Sequence, residues 1–194
     1  MTDVRACKLC ADKLEHGVRP VLQAHSHATI LIAGQAPGAR VHESGVPFDD
    51  PSGDRLREWM GVSREIFYDA AKVAILPMGF CYPGTGRSGD KPPMPICAKT
   101  WRTPLLQALP NLKLTLVIGQ YAQKWHLDRM QANLTLTVKD WASYGKAVLP
   151  LPHPSPRNNI WLKRNPWFEQ DVLPALKQRV NAALGPSSNL STGE

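Results

Sequence analysis

The sequence predicts an α/β fold of three layers, with helices on both faces of a four-stranded, mainly parallel sheet. Apolar runs of strand length recur four times along the 194 residues. Segments with helical periodicity separate these runs, and such alternation is typical of a parallel sheet covered by helices. Residues 1–184 are therefore predicted to form one domain, and the polar residues 185–194 are predicted to be a disordered tail.

The predicted strands are short, buried apolar runs that end at glycine or proline. They cover residues 28–34, 71–77, 112–119 and 146–152. The chain contains 18 prolines and 14 glycines, which cluster between these runs. This clustering indicates a scaffold that carries several long, shaped loops.

The helices are predicted from periodicity and from capping residues. Ser52 is the predicted N-cap of a helix that ends at Gly61, and Ser63 is the predicted N-cap of a second, short helix. The remaining predicted helices cover residues 97–108, 119–127, 134–145 and 166–184.

The charge of the chain favours a polyanionic partner. There are 23 Lys and Arg residues against 16 Asp and Glu, which gives a net charge of +7 and a pI near 9.4. Nucleic acid is such a partner, whereas no long apolar run or basic amphipathic helix supports a membrane. The first residues contain no hydrophobic segment of signal-peptide length, so we expect a cytoplasmic protein without structural disulfides.

The most informative loop follows the last predicted strand. The apolar run stops at His153, and the two prolines that flank Ser155 prevent the strand from continuing. We therefore expect His153 at the carboxyl end of a strand, where open α/β sheets keep their ligand sites. Arg157 and Asn158 follow, with tryptophans nearby, as a surface for phosphates and unstacked bases requires. The alternative is a proline-rich turn with a solvated basic face.

A second long loop follows residues 28–34. Its glycines, at positions 34, 38 and 45, do not form the G-x-G-x-x-G pattern, and Pro37 lies among them. The pattern therefore does not indicate a dinucleotide site.

Four cysteines form two pairs. Cys7 and Cys10 are a Cys-x-x-Cys pair, and Cys81 and Cys97 bracket fifteen residues rich in Gly, Pro, Arg and Lys. A shared metal or iron-sulfur centre would tie the ends of this loop and would anchor the amino terminus. Buried free thiols are the alternative.

With these loops in order, the chain resembles the uracil-DNA glycosylase superfamily over roughly residues 5–182. Residues 34–38, Gly-Gln-Ala-Pro-Gly, resemble the first motif of that superfamily, and residues 153–156, His-Pro-Ser-Pro, resemble the second. Residues 46–48, Val-Pro-Phe, resemble the segment whose ring stacks on the extruded base. The cysteines are similar to those of the iron-sulfur branch, which hold a four-iron, four-sulfur cluster.

The resemblance implies a monofunctional glycosylase that flips a deaminated base, foremost uracil, out of DNA and hydrolyses its N-glycosidic bond. His153 matches the family residue that donates a hydrogen bond to the base oxygen. The expected base-binding residues are Gln35, Ala36, Phe48 and Gly79. The expected DNA-binding residues are Ser155, Arg157 and Asn158. The expected ligands of the cluster, or of zinc as the alternative, are Cys7, Cys10, Cys81 and Cys97. A monomer acting on damaged DNA is expected.

The chain departs from the resemblance at the residue that activates water. Branches that use an Asp or Asn in the first motif carry it where this chain has Ala36. The candidates for this role are His42, Glu43 and Asp49, with Asp50 nearby. The alternative for each of them is a solvated loop residue.

The base-reading position departs as well. Several branches have an asparagine on the strand before Cys81, but residues 77–80 are Pro-Met-Gly-Phe. A glycosylase for hypoxanthine or xanthine is therefore one alternative. A nucleic-acid-binding protein that keeps the fold and the cluster without catalysis is the other, because Ala36 leaves the water-activating role open.

Overall fold

The computed structural model describes residues 2–87 and 89–185 and confirms the predicted fold class. The strands are β1 Ile30–Ala33, β2 Val73–Ile75, β3 Thr85–Gly86, β4 Gly89–Asp90, β5 Leu114–Ile118 and β6 Val148–Leu151. Four of these strands form an all-parallel sheet in the order β2-β1-β5-β6, while β3 and β4 form a separate antiparallel hairpin. The predicted tail lies, after Gly185, outside the described residues.

Helices fill the connections between the strands. They are α1 Thr2–Arg5, α2 Ala39–Ser44, α3 Pro51–Met60, α4 Arg64–Tyr68, α5 Pro95–Gln107, α6 Gly119–His126, α7 Leu134–Lys139, α8 Asn159–Arg164 and α9 Leu173–Leu184. The short helices α2 and α8 lie in segments for which the sequence predicts loops. In the described part of the chain, no helix is both long and apolar enough to cross a membrane.

Two helix starts differ in how well they were predicted. Ser63 caps α4 as predicted, since its hydroxyl accepts a hydrogen bond from the Ile66 N–H at 3.4 Å. The prediction that Ser52 caps the preceding helix is wrong, because the Asp50 carboxylate accepts from the Gly53 N–H at 2.9 Å instead. Pro51 then occupies the first helical position, which its fixed φ favours, so the helix begins earlier than predicted.

Two of the later helices are also more divided than predicted. The segment 134–145 is helical only to Lys139 and continues as a 3-10 turn at Trp141–Tyr144. The segment 166–184 begins with a π-helical turn at Phe168–Val172 before α9. Pro174 lies in the first turn of α9 and has no N–H to donate, so it interrupts the hydrogen-bond ladder at the change of helix type.

Both faces of the sheet are covered, which gives the three layers. Helices α3, α4 and α9 pack on one face, where Trp59, Phe67 and Phe168 are buried against the strands. Helices α5 and α6 pack on the other face, where Leu105 and Ala122 are buried. The strands are therefore apolar on both sides, as parallel strands usually are.

The order of the strands determines where ligands have access. Strand β1 lies between β2 and β5. The connection from β1 leads to β2 and the connection from β5 leads to β6, so the connections that leave these two neighbouring strands diverge to opposite sides. In such sheets, the crevice outside the carboxyl ends of the strands holds the ligand. The loops after β1 and β6, which carry the two sequence motifs, both begin at this edge.

Candidate functional site

The loops after β1 and β6 open into one cleft of about 350 Å³. The β3–β4 hairpin supplies a third segment of its wall. The residues predicted from sequence that line this cleft are Gln35, Ala36, Phe48, His153, Ser155 and Arg157. The structure therefore brings the two motifs and the predicted stacking residue together at one edge of the sheet.

The segment that follows β2 fixes the backbone of the first motif. The Met78 N–H donates to the Gly34 carbonyl at 2.9 Å, and the Gly79 N–H donates to the Gln35 carbonyl at 3.0 Å. Gly34 also lies against the Phe48 ring, because a Cβ atom at Gly34 would be 3.6 Å from the ring carbon Cζ. These two hydrogen bonds therefore hold the backbone of the first motif where it enters the cleft.

Phe48 has a backbone conformation that bulky residues rarely adopt, with a φ of 55°. Its carbonyl accepts a hydrogen bond from the Tyr68 hydroxyl at 3.2 Å, and its ring packs edge-on against Phe67 at 6.2 Å between centroids. The Phe48 carbonyl occupies the space that a side chain at position 53 would need, and Gly53 has no side chain. Strained residues persist only where their surroundings hold them, and they cluster at ligand sites.

His153 is partly buried at the end of β6 and is held in one orientation. The Asn158 side-chain amide donates to the His153 carbonyl at 2.7 Å, and the Ser155 N–H donates to Nδ1 at 3.2 Å. Because Nδ1 is an acceptor, the neutral ring carries its proton on Nε2. Burial lowers the pKa of His153, and the charges of Asp50 and Asp90 offset this only in part. The ring is therefore a neutral Nε2–H donor.

The three predicted DNA-binding residues differ in what their side chains contact. The Ser155 hydroxyl accepts from the Arg157 N–H at 3.2 Å, and Asn158 supports His153, so both side chains act within their own loop. Arg157 is exposed, and its guanidinium lies beside β4, because a Cβ atom on Gly89 would be 3.0 Å from Nη1. Arg157 thus connects the second motif with the hairpin.

The structure does not bring His42, Glu43 and Asp49 to the cleft. The His42 Nε2 atom lies 3.1 Å from the carbonyl oxygen of His16, and the Glu43 side chain is exposed. Asp49 forms an ion pair with Arg64 at 3.2 Å. These three residues are therefore close to the first motif in sequence but lie outside the cleft.

Among the described residues, the carboxylates that line the cleft are those of Asp50 and Asp90. Asp50 is one of the nearby candidates predicted from the sequence, whereas Asp90 was not predicted. The available signal was that Asp90 is the single acidic residue between Cys81 and Cys97. A glycine-rich segment has no periodicity, however, so the sequence did not indicate that this loop folds back over the first motif.

A second, smaller cavity is lined by all four cysteines, Cys7, Cys10, Cys81 and Cys97. The Trp101 indole N–H donates to the Cys7 sulfur at 3.3 Å, and the Phe80 N–H donates to the Cys97 sulfur at 3.4 Å. Such N–H donors to sulfur tune iron-sulfur sites. Gly79, which was predicted for the base pocket, lines this cavity and not the cleft.

The thiols of Cys10, Cys81 and Cys97 are in an environment that disfavours thiolates in the absence of a cation. Burial raises the pKa of Cys10 and of Cys81, and it raises that of Cys97 to about 11, with neighbouring cysteines adding to the shift. A bound metal would reverse this preference, since it deprotonates the thiols that coordinate it. Within residues 2–87 and 89–185, no group of three or more His, Cys, Asp and Glu side chains forms a preassembled metal site.

Helix α5 also carries a fully buried arginine next to this cavity. Arg102 donates to the carbonyls of Leu76 and Pro77, the latter at 3.3 Å, and its Nε donates to the His126 Nε2 atom at 3.0 Å. Burial lowers the pKa of Arg102 to about 10. Burial, together with the Arg102 charge, lowers the pKa of His126 to about 3. The pair fixes the chain where it leaves β2 toward Cys81.

A comparison with known protein families bears on this site. The family model described as the uracil DNA glycosylase superfamily matches residues 22–177. The matched segment contains the whole parallel sheet, both motif loops and the pair Cys81 and Cys97, whereas Cys7 and Cys10 precede it. With the match covering most of its length, the chain belongs to the uracil DNA glycosylase superfamily.

Proposed function

We propose that this protein is a monofunctional DNA glycosylase that removes uracil from DNA and leaves an abasic site. The observation that carries the proposal is a single cleft that holds both the Nε2–H donor of His153 and the ring of Phe48. Membership of the superfamily supports a glycosylase of this general kind. The identity of the base, uracil, is the finer part of the proposal.

The chemistry of the cleft suits the departure of a base. Cleavage of the N-glycosidic bond develops negative charge on the base and positive charge on the sugar. The His153 Nε2–H would stabilise the first charge by donating to a base oxygen, and the Ser155 N–H on Nδ1 orients the ring before the reaction. Phe48 would stack on the flipped base, which replaces the stacking lost from the duplex.

The cationic residues around the cleft suit a DNA duplex. Arg157 is exposed at the cleft, and Lys163 and Arg164 are exposed in α8, which follows directly. Lys163 and Arg164 would contact phosphates. Arg157 would enter the duplex where the base has left, because its side chain already reaches from the second motif to the hairpin.

We also propose that the four cysteines hold one four-iron, four-sulfur cluster. They surround one cavity, and N–H donors already point at two of their sulfurs. When bound, the cluster would act as a structural clamp that joins the amino-terminal segment to both ends of the loop between Cys81 and Cys97. Zinc is the less favoured occupant of the same thiolates.

The function is tested by base release from a panel of oligonucleotides. Single- and double-stranded substrates with uracil, hypoxanthine or xanthine are incubated with the protein and then treated with alkali. We expect release of uracil, and strand breaks only after alkali. A preference for hypoxanthine or xanthine would support the alternative that the missing asparagine at residues 77–80 suggests. Tight binding without release of any base would favour the non-catalytic alternative.

The cluster is tested by iron, sulfide and zinc analysis of protein purified without oxygen. We expect four irons and four sulfides per chain, and a broad absorbance in the visible range that Cys81→Ser removes. Zinc without iron would replace the cluster by a single tetrahedral ion. Protein without either metal would contradict both versions.

A further inference from the structure

Hydrolysis of the N-glycosidic bond requires more than the His153 donor. A water molecule must attack the sugar carbon, and a carboxylate that accepts its proton accelerates this step. In the part of the chain that the structure describes, the cleft-lining carboxylates belong to Asp50 and Asp90. Both carboxylates line the cleft together with His153, and their charges act on its ring.

The two carboxylates differ in what they already contact. An Asp50 oxygen accepts the Gly53 N–H at 2.9 Å and caps α3, so this carboxylate has a structural role. The Asp90 carboxylate makes no hydrogen bond or ion pair with the residues that the structure describes, and it is exposed to the cleft. One Asp90 oxygen lies over the first motif, 3.6 Å from where a Cβ atom on Gly38 would be.

The β3–β4 hairpin fixes the position of Asp90. Asp90 pairs with Thr85 across β3 and β4, and the Thr85 hydroxyl lies 2.6 Å from the hydroxyl of Tyr82. The Tyr82 ring in turn stacks on His16 at 5.0 Å between centroids. The next residue, Lys91, forms an ion pair with Glu15. A loop that is otherwise rich in glycine thus holds this carboxylate in a defined place.

We propose that Asp90 is the carboxylate that activates the attacking water, an inference that rests on the proposed glycosylase function. The C1′–N bond breaks and its electron pair goes to the base nitrogen, while the water oxygen forms the new bond to C1′. The water proton passes to Asp90. The base leaves as an anion that accepts the His153 hydrogen bond and later takes up a proton from solvent. The loop between Cys81 and Cys97 therefore supplies a catalytic group that the first motif lacks at Ala36.

The test is single-turnover base release by the metal-loaded full chain, with enzyme in excess over a uracil-containing duplex. Asp90→Asn should lose about 100-fold or more in rate, because it removes the proton acceptor and keeps the size of the side chain. DNA affinity should be equal or tighter, since one negative charge is lost near the phosphates. Asp128→Asn is the matched control: it changes an exposed aspartate outside the cleft and should retain the parental rate.

Asp50→Asn provides the decisive comparison, because asparagine still caps a helix while its charge is gone. A 100-fold loss for Asp50→Asn with a parental rate for Asp90→Asn would transfer the role to Asp50 and overturn the inference. An Asp90→Asn rate within about threefold of the parent would also overturn it, while the active parent would leave the proposed function standing. A parent that releases no base would reject the proposed function and the inference together.

Discussion

The carbonyl oxygen of Phe48 lies where a side chain on Gly53 would begin, since a Cβ atom there would be 1.8 Å away. The clash would be with backbone, so it cannot be relieved by rotating a side chain. Gly53→Ala should therefore destabilise the protein by about 1–3 kcal/mol and displace the Phe48 ring from the cleft. Urea unfolding and single-turnover base release measure the two effects.

Gly34→Ala is the matched control for stability. Its Cβ atom would meet the Phe48 ring at 3.6 Å, an ordinary contact distance, so the unfolding free energy should change little. Equal losses of stability in the two variants would contradict a special role for the close approach at Gly53.

Removal of the His153 ring should affect chemistry more than binding. His153→Ala is expected to reduce the single-turnover rate about 100- to 1,000-fold, as is typical when one preorganised donor is lost. DNA affinity should remain near that of the parent, because phosphate contacts dominate it. His27→Ala, which changes an exposed histidine outside the cleft, should retain the rate. A rate for His153→Ala within a few-fold of the parent would leave His153 as a loop anchor only.

The pH dependence of the rate reports the protonation state of His153. Because burial lowers its pKa, the neutral form of the ring is already the major one at the ordinary histidine value of about 6.5, and its share grows as the pH rises. The single-turnover rate of the parent should therefore not fall as the pH rises from about 6.5 to 8. A loss of rate over that range that disappears in His153→Ala would instead indicate an imidazolium acid.

The insertion of Arg157 into the space left by the flipped base should matter more for duplex than for single-stranded DNA. Extrusion of a paired base costs a few kcal/mol, and single strands avoid most of it. Arg157→Ala should therefore lose on the order of tenfold more activity on a duplex than on a single strand. Arg164→Ala removes the same charge from α8 and should affect both substrates equally. Equal losses for Arg157→Ala on the two substrates would reduce Arg157 to a phosphate contact.

The sheet and both motif loops were predictable because their signals are local. Apolar runs define the strands, and the parallel arrangement brings the ends of β1 and β6 to one edge, so residues as distant as Gln35 and His153 share a cleft. The neighbours of a motif are less predictable. The six-residue helix α2 carries His42 and Glu43 outside the cleft wall, and no apolar periodicity marks so short a helix.

The positions of Asp90 at the cleft and of Gly79 outside it were not predicted, and both have a common cause. The segment between Cys81 and Cys97 has no periodic pattern, so its path depends on long-range contacts such as the ion pair of Lys91 with Glu15. These contacts bring Asp90 over the first motif. Gly79 lies at the start of the same connection and lines the cysteine cavity, where Pro93 is 2.9 Å from the place that a Cβ atom on Gly79 would take.

The buried pair of Arg102 and His126 should make the protein sensitive to acid. The pKa of His126 is about 3 in the folded protein and ordinarily about 6.5. Between these values the unfolded chain binds the additional proton, so stability falls as the pH drops below 6.5. From pH 7 to pH 5 this histidine should contribute a loss of about 2 kcal/mol in the free energy of unfolding.

His126→Gln keeps an acceptor for Arg102 and does not titrate, so the pH dependence of its unfolding free energy, measured in urea, should be smaller by that amount. His27→Gln, at an exposed histidine, should unfold with the parental pH dependence. If His126→Gln retains the full dependence, the acid sensitivity arises elsewhere in the fold.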